Sequence, residues 1–143
     1  MTTTPTTSTT ESPAGTRAKT VWPCVNYVDA RAAIAFLTSA LGFEETLVVG
    51  EGDVVTHAEL VWPEGGGVML GSAGRDESPF SQLATGAASV YVVTDEPDRI
   101  FARATAAGAR VVRDLYDADY GSRGFTVADP EDNLWSFGTY RGA

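Results

Sequence analysis

Among its 143 residues the chain has one histidine, one cysteine and two methionines, and no lysine follows Lys19. A single thiol, Cys24, excludes an intrachain disulfide and any zinc site built on paired cysteines, and nothing suggests an oxidising compartment. No apolar run reaches membrane length, and the amino end MTTTPTTSTTESPAGTRAKT lacks the apolar centre of a secretory signal. A cytoplasmic protein with no membrane partner is expected. Basic charge is scarce as well: ten Lys and Arg stand against nineteen Asp and Glu, a formal net charge of -9. That balance argues against a nucleic-acid partner. An acidic surface serves solubility or draws in a cationic ligand.

What is present is enough for one core. The chain is 43% hydrophobic and too short for two ordinary domains. Residues 1–19, rich in Thr, Ser and Pro, offer too little apolar surface to offset the entropy of ordering them, so a disordered tail is expected there. A single domain is expected over 20–143.

That domain reads as one unit written twice. A shift of 66 residues brings Asp29 onto Asp95, Ile34 onto Ile100, Gly42 onto Gly108 and Asp53 onto Asp119. In the first copy VWPCVNYV reads as a strand, Asp29 as a helix N-cap, ARAAIAFLTSAL as the helix and Gly42 as its left-handed end. FEETLVV, VVTHAELVW and GVMLG follow as strands, with EGGGV as a hairpin. The second copy repeats this order with ASVYVV, a cap at Asp95, EPDRIFARATAA, and the strands ARVVRDLY, SRGFTVAD and NLWSFGTY. An α+β fold follows, with tandem βαβββ modules over 20–72 and 87–140 and a linker over 73–86.

A duplicated βαβββ unit resembles the vicinal oxygen chelate superfamily of glyoxalases, bleomycin-resistance proteins and dioxygenases. NYVDARAAIAFLTSALGF is similar to that family's first strand and helix, and RGFTVADPEDNLWSF to its closing hairpin, where Asp132 replaces the usual Gly. The resemblance implies curved mixed sheets around a cleft. It also implies four ligand positions in metal-dependent members, which fall here on Trp22, Leu70, Ala88 and Ser136. These make no ordinary divalent-metal set. No metal and no cofactor are therefore expected.

Strand alternation in register with those positions turns Trp22, Cys24, Asn26, Val68, Leu70, Val90, Val92, Leu134, Ser136 and Gly138 toward the cleft. The lining is apolar with a few polar handles, and Trp22 offers a stacking face. His57, with Glu59 two residues along the same strand, forms a candidate base and orienter. Arg123 holds a ligand carboxylate or pairs with a carboxylate of the protein. Cys24 has no evident activating base and reads as a buried thiol. Trp135 reads as core.

Two functions stay open at this stage. One is a metal-independent binding protein for a small drug-like or natural-product molecule, cationic or aromatic, working as a homodimer. The other is a metal-free isomerase, lyase or cyclase using His57 and Glu59.

Overall fold

The computed structural model describes residues 19–143, and the tail expected over residues 1–19 lies, Lys19 apart, outside the described residues. The first module runs β1 (Cys24–Tyr27), α1 (Ala30–Phe36), β2 (Glu44–Glu51), β3 (Val54–Val61) and β4 (Gly67–Ser72). The second runs β5 (Ser89–Val93), α2 (Pro97–Ala106), β6 (Arg110–Asp117), β7 (Arg123–Ala128) and β8 (Leu134–Gly138). Each module makes a four-stranded mixed sheet, in the orders β1-β4-β3-β2 and β5-β8-β7-β6, in which only the β1–β4 and β5–β8 pairs are parallel. This is the tandem α+β fold expected from the repeat.

Asp29 caps α1 by accepting the Ala32 amide at 3.0 Å, and Gly42 ends the helical segment at φ 98°. Between them the helix widens into a π-helical turn over Leu37–Leu41. Thr38 sits at that turn with its hydroxyl donating back to the Ile34 carbonyl at 2.8 Å, a contact that competes with the helical ladder. Arg103 of α2 satisfies two carbonyls there, donating to Ser39 at 3.0 Å and Thr38 at 3.1 Å. The widened turn is therefore also the place where the two helices meet.

The widened turn shows why a uniform shift of 66 misleads. Before it, and again in the closing strands, equivalent residues are offset by 67. Val25, Leu60, Val68 and Leu70 occupy the places of Val92, Val127, Trp135 and Phe137, all buried. Because a strand alternates faces, one residue of slip moves every side chain to the opposite side. Val68, Leu70, Val90 and Val92 therefore point toward the core, contrary to the cleft register expected for them, and Asp95 yields the N-cap position to Glu96.

One core serves both modules. Phe43 contacts Trp135 with ring centroids 5.6 Å apart, and Trp62 contacts Phe137 at 5.4 Å, each contact crossing between modules. Trp135 is fully buried, as expected. The turn after β3 and the turn after β7 each plant a glutamate on the other module. Glu131 accepts the amides of Val28 and Asp29 at 2.8 and 2.7 Å, and Glu64 accepts that of Asp95 at 2.9 Å. Both carboxylates meet the positive end of a helix.

In the second of these turns Asp132 stands at φ 74°, the only non-glycine among the described residues with positive φ. An L side chain in that region costs roughly 1 kcal/mol or more. Its ion pair with Arg110 joins two side chains more than 60% exposed and offsets little of this. Asp132→Gly is therefore expected to raise stability by about 1 kcal/mol, read as a rise of roughly 3 to 6 °C in Tm. An unchanged or lower Tm would count against the strain.

Candidate functional site

With the core occupying one face of each sheet, the opposite face is free to bind. On the first sheet, Cys24 and Asn26 of β1 lie beside Met69 and Gly71 of β4, with Glu59 of β3 next to Met69. An irregularity in the β2–β3 pairing, between the pairs Val49/His57 and Gly50/Val55, leaves Thr56 as an extra residue. Val55 and Ala58 are thereby both buried, while Thr56 and His57 both reach the outer face. The bulge puts the chain's single histidine there.

A hollow of about 220 Å³ opens on this face, lined by Cys24, Asn26, Thr56, His57, Met69, Arg75 and Phe80 among others. One wall is the connection between β4 and β5, which carries a 3-10 turn over Phe80–Gln82. The buried Ser81 organises it, its hydroxyl accepting the Arg75 amide at 2.9 Å and donating to the Arg75 carbonyl at 2.8 Å. Asn26 ties the segment to the sheet by donating to the Phe80 carbonyl at 2.6 Å. Phe80 remains 73% exposed at the rim. Arg75 and Phe80 escape a pattern reading because a stretch such as RDESPFSQL shows only turn chemistry, with no periodicity.

His57 Nε2 lies 2.8 Å from Glu59 Oε2, so the pair expected from its spacing is formed. The contact engages Nε2, which fixes the ring's orientation on the outer face. Cys24, expected as a buried thiol, is exposed, and its thiol donates to the Trp22 carbonyl at 3.6 Å. The reason is parity: on the four residues of β1 the core takes Val25 and Tyr27. Trp22 precedes β1 and packs its ring over Gly67, at the opposite end of β4 from the hollow. Leu70 borders the hollow but is buried as part of the core, and Val90, paired with Trp135, packs against the same core.

The second sheet has a smaller outer hollow of about 180 Å³, lined by Tyr91, Arg113, Tyr116, Tyr120, Thr126 and Ser136 among others. The Ser136 and Thr126 hydroxyls share a hydrogen bond at 2.7 Å, and the Tyr91 hydroxyl donates to the Tyr140 carbonyl at 2.7 Å. Burial pushes the Tyr91 phenol up, so it stays a donor. Arg123 belongs to neither hollow. It grips Asp98 of α2 through two bonds of 2.7 and 3.1 Å and reaches Asp117 at 3.2 Å, which is the protein-carboxylate role left open for it. The Arg123 hydrogen bonds hold the Asp98 carboxyl below its ordinary range.

The 67-residue offset also revises the metal positions, since Ser136 then corresponds to Met69 and Trp22 to Ser89. Indole, thioether and two hydroxyls do not fit a divalent ion. Among the described residues no three His, Cys, Asp or Glu side chains converge. No helix among them is long and apolar enough to cross a membrane.

The sequence model described as the Glyoxalase/Bleomycin resistance protein/Dioxygenase superfamily matches residues 19–137. No curated protein matches the chain. Among solved structures it is similar to TioX from Micromonospora sp. ML1, with 30% identity and a TM-score of 0.74 over 85% of this chain and 98% of that one. A glyoxalase/bleomycin resistance protein from Catenulispora acidiphila aligns at 24% identity and a TM-score of 0.63, over 85% of this chain and 97% of that one. Another, from Streptomyces sp. CB03234, aligns at 20% identity and 0.62, over 80% and 94%. The last two likenesses speak for the fold alone.

Proposed function

Because the chain belongs to the glyoxalase/bleomycin resistance protein/dioxygenase superfamily, we propose that it is a metal-independent binding protein of that superfamily, taking a small planar molecule into the hollow beside His57. The observation that carries this reading is the hollow itself. It joins an apolar lining of Met69 and Phe80 to the polar groups of His57, Thr56 and Arg75, the usual composition of a small-molecule site. The free thiol of Cys24 suits a reducing cytoplasm.

The working form is a homodimer. Leu47, Val49, Tyr91, Tyr120 and Tyr140 are each more than 40% exposed, and both sheets keep open edge strands. Pairing with a second copy covers such edges and patches.

Thermal unfolding against a panel of planar aromatic compounds tests the binding reading. A compound present at 100 times its Kd adds about 2.7 kcal/mol of stability. Cys24→Trp sets an indole into the hollow from an exposed strand position, where an aromatic residue is well tolerated. It is expected to abolish that gain. A gain of the same size in the variant would remove the hollow from consideration.

The 2.8 Å contact between His57 and Glu59 favours a second reading, a metal-independent isomerase, lyase or cyclase with His57 as the proton carrier and Glu59 as its orienter. Turnover of a bound compound that disappears in His57→Gln while binding persists would select it.

A further inference from the structure

Arg75 is the most buried of the arginines in ion pairs, its side chain only 17% exposed beside the hollow. Two edges of its guanidinium are occupied: Nε donates to the Ser72 carbonyl at 2.9 Å, and Nη1 to Glu77 at 2.6 Å. The third nitrogen, Nη2, has no acceptor among the described residues and lies over Gly71 on the floor of the outer face. There it stands 3.4 Å from where a Cβ would be, as close as the Thr56 carbonyl. A guanidinium fixed on two sides, with its remaining N–H groups turned over a largely apolar hollow, is a preorganised receptor for an anion.

The surroundings narrow the choice of anion. Glu77 is 65% exposed and lies on the solvent side of the pair, outside the lining of the hollow, and the Glu59 carboxylate on the same face is engaged by His57 at 2.8 Å. The Asn26 amide is spent on the Phe80 and Leu83 carbonyls, so it adds no donor. The Thr56 hydroxyl is likewise spent, on the Val49 carbonyl at 3.0 Å. One free guanidinium nitrogen, helped by the Ser78 hydroxyl, therefore matches a singly charged carboxylate better than a doubly charged phosphate, which the net charge of -9 also repels. Met69 and Phe80 supply the apolar contact for a flat ring system.

We propose that Arg75 makes this hollow selective for a planar aromatic carboxylic acid, with the carboxylate on Nη2 and the ring against Met69 and Phe80. The inference rests on the reading of the hollow as a binding site and replaces the cationic ligand that the overall charge suggests.

Calorimetric titration of the full chain with 2-naphthoate and with its uncharged isostere 2-naphthamide is the test. A charge-assisted hydrogen bond of this kind favours the acid by roughly tenfold or more. Arg75→Met is expected to erase the preference, the acid then binding no more tightly than the amide, with a cooperative urea transition showing that the variant is folded. The loop keeps its main-chain bonds in that variant, since Ser81 and Gln82 hold Arg75 through its backbone. Glu77→Gln removes the competing carboxylate and is expected to strengthen acid binding further. Equal affinity of the parent for acid and amide would overturn the carboxylate assignment while leaving the binding site standing. So would a preference that survives Arg75→Met. Failure of both probes to bind the parent would overturn the site and the assignment together.

Discussion

Asp129→Ala is expected to cost about 3 to 5 kcal/mol, a large share of the stability of an ordinary domain. Asp129 is 4% exposed and no cation pairs with it among the described residues; its carboxyl oxygens are held by hydrogen bonds. Tyr27 donates to it at 2.6 Å, Trp135 Nε1 and Asn133 Nδ2 at 3.0 Å, and the amides of Glu131 and Asn133 at 2.9 and 3.1 Å. Truncation leaves these donors buried without an acceptor, and each unsatisfied group costs roughly 1 to 3 kcal/mol. Burial and the neighbouring carboxylate push the Tyr27 phenol far above its usual range, so it cannot adapt by ionising. Urea unfolding should show the loss, with Tm lower by roughly 10 to 20 °C. Asp129→Asn keeps the shape but turns an NH2 group toward other donors, and should fall between the two. A loss under about 1 kcal/mol for Asp129→Ala would show that water satisfies the donors.

Gly50→Ala is expected to cost roughly 2 to 4 kcal/mol and to weaken binding in the hollow by tenfold or more. Gly50 faces Val55 at the β2–β3 bulge with φ 155°, and a Cβ there would collide with the Val54 carbonyl, a backbone atom that cannot swing away. Relief comes only by undoing the bulge, which shifts β3 by one residue and turns His57 away from the outer face. Gly52 is the control. It stands at φ 57° with open space around it, so Gly52→Ala should cost only about 1 kcal/mol and leave binding unchanged. Urea unfolding and titration of both variants separate the two effects. Parent-like binding in a folded Gly50→Ala protein would break the link between bulge and site.

The element order was legible because the helices carry apolar residues at helical spacing between Asp29 and Gly42 and between Pro97 and Gly108, with strands bounded by turn residues. Side-chain direction was legible only where no residue had been inserted. Alternation placed Cys24 and Asn26 on the outer face, and it brought His57 and Glu59 together. It failed at Leu70 and Val90, because the π-helical turn hides one residue inside a helix whose periodicity still looks regular. The turns held the missing signal. Trp62-Pro63-Glu64 matches Asp129-Pro130-Glu131 at an offset of 67, and two shared residues at a structurally equivalent turn outweigh scattered matches at 66. Arg75 was beyond reach by pattern, since its placement depends on hydrogen bonds to Ser81 and to the Ser72 carbonyl.

The exchanged glutamates have a consequence for how the chain comes apart. Each half keeps the other's helix entrance occupied, Glu64 at Asp95 and Glu131 at Val28 and Asp29, while Trp62 donates to the Val93 carbonyl at 3.2 Å and Tyr27 to Asp129 across the same boundary. Peeling one half away would bare amides, an indole and a phenol in the other at the same moment. Melting is thereby coupled across the duplication. Heat or urea meets a single all-or-none unit rather than two halves with separate transitions, and a fragment ending between them would lack the groups that finish its own helix.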